Sequence, residues 1–358
     1  MSTIYLVANK GRLGKKGQTL SLQLDEKTTK IIFPYRTDQL VLIGNIDITT
    51  PALKMLMHHR INTVFVNKNG KFNGTLTFNK GKNVFLRQKQ FKLVEDPSFT
   101  LNMARSIALG KIHNQFVFMQ RIRRERKVPE VFEQLQKVKN ILEKLNEAQS
   151  VDSIRGLEGA AARAYFAALK HAFVADWAHF PGRSMNPPKS NVNAVLSFLY
   201  TLILNRVEAA LQTEGLDPYV GFLHTMEYGK TSLAFDMMEE FRVPLSDTIT
   251  VSLFNLGILS EDDFREVNFS ADDDEFPLDA ELPEDESEEM IRKTTGILLT
   301  QEGLKKVIPY FEKKLESKVM YVSTEKRLNY KQIMFAQIRH LKRVINGEER
   351  TYKPFLMR

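Results

Sequence analysis

The chain has 358 residues, 43% of them hydrophobic and 26% charged, the balance of a globular protein long enough for two cores. It contains no cysteine, which excludes disulfides, thiolate nucleophiles and cysteine-ligated zinc. The formal net charge is +8, but residues 261–289 hold fifteen acidic residues and one arginine, so the rest of the chain carries +22. A surplus of that size points to a polyanionic partner, because each phosphate contact releases counterions and adds affinity.

From the N-terminus, "TIYLVA", "TLSLQL", "TKIIFP", "LVLIGN", "NTVFVN" and "GTLTF" are short β-branched runs separated by Gly, Asn, Asp and Lys. They predict a β-rich domain over 1–92. One helix interrupts it, "TPALKMLMHHR", with Thr50 as the expected N-cap and Pro51 at the first helical position. His58 and His59 at its end point to different faces and make a poor chelate. The opening "MSTIYLVANKGRLGKK" lacks a signal-peptide pattern, and no apolar run of about 18 residues is read anywhere. The expectation is a cytoplasmic protein with no membrane span.

Near Asp96 the pattern turns helical, and 93–358 is expected to form an all-α domain with an acidic insertion at 261–289. The fold class is therefore α+β. In "SFTLNMARSIALGKIHNQFVFMQRIRRERK", Leu101, Ala104, Ile107, Ala108 and Ile112 recur at helical spacing and lead into a dense basic end. Arg121, Arg123, Arg124 and Lys127 are expected there as a phosphate track. Further helices are expected over 130–147, 151–175, 190–213, 231–242, 300–317 and 326–346. Residues 270–289, with eleven acidic residues and two prolines, read as a mobile insertion that repels DNA.

The stretch "LHTMEYGKTSLAFDMMEEFR", Leu223 to Arg242, carries most of the chemistry. Its Gly-Lys-Thr is no phosphate-binding loop, since such a loop needs a glycine where His224 stands. A helix beginning near Thr231 has Leu233, Ala234, Met237, Met238 and Phe241 as its apolar stripe. Asp236, Glu239 and Glu240 are then expected on another face, close enough to repel unless a cation lies among them. No lysine falls in 233–241, so a divalent ion is the favoured cation, with His224 as a nitrogen donor. Upstream, Glu158 lies among small residues in "SIRGLEGAAARAYFAAL" and is expected at a helix interface. It is either a metal ligand or the partner of Arg155 or Arg163. A set of hard oxygens and one imidazole suits magnesium or manganese, and phosphodiester chemistry.

The motifs "RGLEGAAARAYF", "NPPKSNVNAVLSFLYTLI", "GFLHTMEYGKTSLAFDMMEEFR" and "FAQIRHLKRVINGEERTYKPFLMR" resemble the integrase family of CRISPR adaptation, CRISPR-associated protein one. The likeness spans nearly the whole chain. It implies an N-terminal β domain that dimerises and an α-helical catalytic domain. It also implies a homodimer that joins CRISPR-associated protein two on double-stranded DNA, prespacer and CRISPR repeat. By position, the family's Mg2+ or Mn2+ ligands fall on Glu158, His224 and Glu239, and Asp236 lines the same catalytic site. The implied reaction is attack of a prespacer 3′-hydroxyl on a repeat phosphodiester. The acidic insertion departs from the family pattern. Two other functions remain open on the residues: a non-catalytic nucleic-acid scaffold, and a standalone metal-dependent DNA repair nuclease.

Overall fold

The computed structural model describes residues 3–24, 29–67, 72–76, 83–185, 187–270 and 293–358. The chain divides into two compact units. One comprises Met1–Lys80, Ser184–Ala194 and Glu261–Lys306; the other comprises Gly81–Arg183, Val195–Ser260 and Val307–Arg358.

In the first unit, β1 (Thr3–Lys16), β2 (Thr19–Gln23), β3 (Thr29–Ile32), β4 (Gln39–Ile48), β5 (Asn62–Val66) and β6 (Phe72–Leu76) form one sheet of order β3-β2-β1-β4-β5-β6. The β1–β4 and β4–β5 pairs are parallel and the others antiparallel. Helix α1 (Thr50–His58) provides the crossover that the parallel β4–β5 pair requires. Its cap is Thr49, one residue earlier than expected, whose side chain accepts from Ala52 N. Alternating Leu6, Leu13, Leu20, Leu22, Leu40 and Leu42 face Ala52, Met55 and Leu56 of α1 in a single core. The β1–β4 register shifts between Ala8 and Gly11. Opposite that irregularity Gly44 has φ +104°, and a Cβ there would lie 2.0 Å from the Ala8 carbonyl oxygen. Only glycine fits.

Part of the acidic stretch, 261–270, lies among the described residues. Its first ten residues include β7 (Phe264–Ser270), which pairs antiparallel with β8 (Lys293–Leu299), a hairpin that the helical expectation lacked. The remainder of the expected mobile segment, 271–289, lies outside the described residues.

The second unit is built around α3 (Pro97–Arg126), a 30-residue helix capped by Asp96 and ended by Lys127 in the left-handed conformation. Against it pack α2 (Val84–Val94), α4 (Pro129–Leu145), α5 (Val151–Leu169) and α7 (Ser232–Arg242). Helix α2 falls within the span expected to be β-rich. Most of α6 (Asn191–Glu214) belongs to this unit. Contrary to the sequence expectation, α6 is long and apolar enough to cross a membrane, with mean hydropathy 1.4, but 72% of that window is buried inside the structure. A π-helical turn, Val243–Asp247, links α7 to α8 (Thr248–Asn255). Pro244 lies within it, and its missing N–H breaks the ordinary ladder. Helix α9 (Gln301–Glu316), the hairpin β9 (Lys318–Tyr321) and β10 (Lys326–Asn329), and α10 (Tyr330–Asn346) complete the chain before a C-terminal tail that buries Tyr352, Phe355 and Met357.

Candidate active site

One face of α3 is apolar except at Lys111, Asn114 and Gln115, all buried. Buried polar groups need partners, and here they mark where other elements converge. Lys111 Nζ lies 2.5 Å from Glu158 Oε1 of α5 and 2.9 Å from Glu239 Oε2 of α7. Glu158 therefore pairs with Lys111, rather than with the Arg155 or Arg163 considered from sequence. Arg155 instead donates to Leu223 O at 2.6 Å and to Asp152 at 2.8 Å.

His224 stands on the loop before α7, 3.7 Å from Glu239 Oε1 through its Nε2. The loop is fixed from several sides. Asp236 accepts from the backbone N–H groups of Phe222, Leu223 and His224 at 2.6, 3.0 and 2.9 Å. Its Oδ1 also lies 2.7 Å from His224 Nδ1. A carboxylate can only accept, so Nδ1 carries a proton toward Asp236, and Nε2 is the nitrogen that faces Glu239. Asp236 is thus wholly occupied in orienting His224. Gln90 of α2, fully buried, donates to the carbonyls of Asp217 and Val220 and accepts from Asp217 N. Gly221 touches the start of α7, where a Cβ would lie 2.7 Å from the Ser232 carbonyl carbon.

Glu239 is fully buried, and neither of its oxygens accepts a well-aligned hydrogen bond. It is held by charge instead, with Arg242 Nη1 at 3.2 Å beside Lys111. Burial pushes its carboxyl up, but Arg242, then Lys111 and His224, outweigh this and hold it below its ordinary value. Lys111 mirrors it: burial pulls the amine down, and Glu158 and Glu239 hold it above its usual value.

Glu240 does not share this face. Its carboxylate accepts from Tyr352 OH at 2.9 Å, Gln337 Nε2 at 3.0 Å and Phe355 N at 2.6 Å, binding the C-terminal tail to α7 and α10. Burial lifts it to about 7. Beyond Arg242 lies a second buried network. Asp247 of the π turn accepts from Tyr165 at 2.5 Å and Tyr200 at 2.9 Å and is pushed by burial up to about 6. Arg242 and Arg183 both lie over the Tyr200 ring.

Glu158, His224 and Glu239 suit a hard divalent cation in kind, as two carboxylates and an imidazole whose Nε2 is turned toward Glu239. The oxygens of buried Glu239, which face cations and an imidazole and no neutral donor, fit as well. The donors do not close on one point: among the described residues no three His, Asp or Glu side chains stand near enough together to hold an ion. Lys111 Nζ stands between the two glutamates. Sequence reasoning missed this lysine, which lies 47 positions before Glu158; its one signal is a charged residue on the apolar face of α3.

The basic end of α3 lies apart from these residues along the helix. Arg123, Arg124 and Lys127 line an open cavity of ≈ 670 Å³ with Val117, Gln120 and Arg358. Arg121 instead donates to the Arg358 carbonyl at 2.6 Å, and Arg126 to Ala172 O at 3.1 Å.

A Thermus thermophilus protein named CRISPR-associated endonuclease Cas1 3 is 31% identical over 360 residues, covering 100% of this chain and 98% of its own. A casposase bound to its integration product superposes with TM-score 0.80 at 21% identity, covering 99% of this chain and 93% of its own. A Cas6-RT-Cas1–Cas2 complex matches with TM-score 0.79 at 24% identity, covering 99% of this chain and 36% of the longer one. The sequence model of CRISPR associated protein Cas1 matches residues 4–270, three-quarters of the chain, and the protein belongs to that family.

Proposed function

We propose that this protein is a metal-dependent DNA integrase and endonuclease of CRISPR adaptation, using Mg2+ or Mn2+. The observation that carries this reading is Glu239: a fully buried carboxylate held by the charges of Lys111 and Arg242 rather than by neutral donors, beside Glu158 and an oriented His224. The names of the relatives support it, an endonuclease and a casposase on its integration product.

Glu158, Glu239 and His224 Nε2 would hold the ion. Bound there, it supplies Lewis-acid stabilisation of charge on the phosphoryl oxygens and favours the nucleophilic form of a hydroxyl. The residues of the chain do the rest. Asp236 holds the Nδ1 proton of His224, so Nε2 is the nitrogen left to bind the ion. Arg242 offsets the charge on Glu239 in a dry setting where Coulomb terms are strong. Arg123, Arg124 and Lys127 hold DNA phosphates along the α3 groove, and Arg121 acts indirectly by anchoring Arg358 in it. A prespacer 3′-hydroxyl attacks a repeat phosphodiester; its P–O bond forms as another breaks, releasing a DNA 3′-hydroxyl. One phosphodiester replaces another, so no external energy source is required. The N-terminal β domain would join a homodimer, and the Cas1–Cas2 complex among the similar structures supports Cas2 as its partner.

The test is a strand-transfer assay with short duplex prespacer and repeat DNA in Mg2+ or Mn2+. Joined prespacer–repeat products that vanish in chelator are expected. Metal-dependent cleavage without joined products would favour a repair nuclease, and DNA binding without either reaction would favour a scaffold.

A further inference from the structure

We propose that Lys111 is an internal cation that holds the metal-free site together and is displaced when a divalent ion enters, so that it sets the affinity for that ion. The inference rests on the reading of Glu158, His224 and Glu239 as the metal-binding set. Lys111 reaches both glutamates at once, at 2.5 and 2.9 Å, from a different helix than either. Its own side chain is 9% exposed and that of Glu239 is 0% exposed, so water contributes little to this contact. Two carboxylates drawn to one point, Glu239 buried and Glu158 21% exposed, repel one another. A compact ammonium with three donors is suited to bridging them.

The same oxygens cannot serve two cations at full strength. A Mg2+ ion bonds oxygen at about 2.0–2.1 Å, which directs the facing lone pairs of Glu158 and Glu239 to the metal and sets its charge against the ammonium. Metal binding is then an exchange of one cation for another. Arg242 differs, since its ion pair in this set is with Glu239, and it can remain. Removing the Lys111 charge therefore destabilises the metal-free protein and tightens metal binding, opposite in sign to the loss of a ligand.

The experiment is a calorimetric titration with Mn2+ alone, paired with thermal melts in chelator and in saturating Mn2+, on wild-type, Lys111→Met and Glu158→Gln proteins. Lys111→Met is expected to bind Mn2+ about tenfold more tightly than wild type, a shift within the range of one lost Coulomb opponent. It should melt several degrees lower in chelator, a gap that Mn2+ closes, whereas Glu158→Gln should lose Mn2+ binding. Wild-type Mn2+ binding with equal or weaker binding by Lys111→Met would overturn the inference while leaving the metal site intact. No saturable Mn2+ binding by folded wild type or Lys111→Met would overturn the metal-binding set itself, and this inference with it. If Lys111→Met does not fold without metal, the double variant Lys111→Met/Glu158→Gln, which lacks the repulsion, decides. Recovery of the wild-type melting temperature in chelator supports the bridge, and failure to recover overturns it.

Discussion

Glu239 and Glu240 are neighbours in sequence, share a helix and are buried to the same degree, yet the two sides of α7 treat them in opposite ways. Glu240 meets neutral donors only, a phenol, an amide and a backbone N–H, and its carboxyl is lifted to about 7. Glu239 meets cations and an imidazole, receives no well-aligned hydrogen bond, and is held below its ordinary value. A carboxylate saturated by neutral donors is a structural joint, since nothing further can bind it. One neutralised by cations is open to exchange with another cation. Burial alone does not separate the two roles; the kind of partner does.

The largest expected effect tests that distinction at Glu239. Glu239→Gln should reduce strand transfer by roughly a thousandfold or more, the scale of losing a catalytic electrostatic group. Its helical content by circular dichroism should stay at the wild-type level. Glu240→Ala should do the reverse. It leaves Tyr352, Gln337 and Phe355 N–H without their acceptor, which costs roughly 3 kcal/mol of stability by chemical denaturation. Activity per folded molecule should stay within a few-fold of wild type. If Glu240→Ala abolishes strand transfer in well-folded protein, the division of α7 into two faces fails.

Only part of this was legible in the sequence. The β1–β6 sheet follows from alternating β-branched runs, and α3 from apolar residues at helical spacing. Helix α2 was not legible, because its described buried residues are only Leu86 and Gln90, and one apolar position makes no stripe. The spacing of Asp236, Glu239 and Glu240 showed that carboxylates cluster, but treated all three as one face. What divides them arrives from far along the chain: Lys111 on α3, and Tyr352, 112 positions after Glu240. Contacts at such separations leave no local pattern. The C-terminal tail is a further example, since Asn114 bonds both Glu240 O and Phe355 O.

Asp236 sharpens the comparison from a third position, as a carboxylate saturated by donors that nonetheless serves the site. Asp236→Asn places an NH2 group against N–H donors and loses the acceptor that fixes the His224 tautomer. Strand transfer and Mn2+ affinity should each fall about 10–100-fold, the usual scale for removing the group behind a metal-binding histidine. An unchanged Mn2+ affinity would show that His224 is not oriented through Asp236.

The smallest expected effect is the pH dependence that Glu240 contributes. Its folded-state value of about 7 lies above the ordinary 4.5, so between those values the folded protein binds more protons than the unfolded chain. Stability from this group is therefore fully present below about 4.5 and is lost as pH rises through about 7. Between about pH 6 and 8 the loss amounts to roughly 1 kcal/mol. Glu240→Gln removes the titration while keeping the shape, so the stability difference between wild type and this variant should change by that amount across the same interval. Denaturant unfolding at the two pH values measures it. Glu239, held low, should add nothing to the slope in this interval, and a wild-type slope that survives in Glu240→Gln but disappears in Glu239→Gln would reverse the assignment of the two faces.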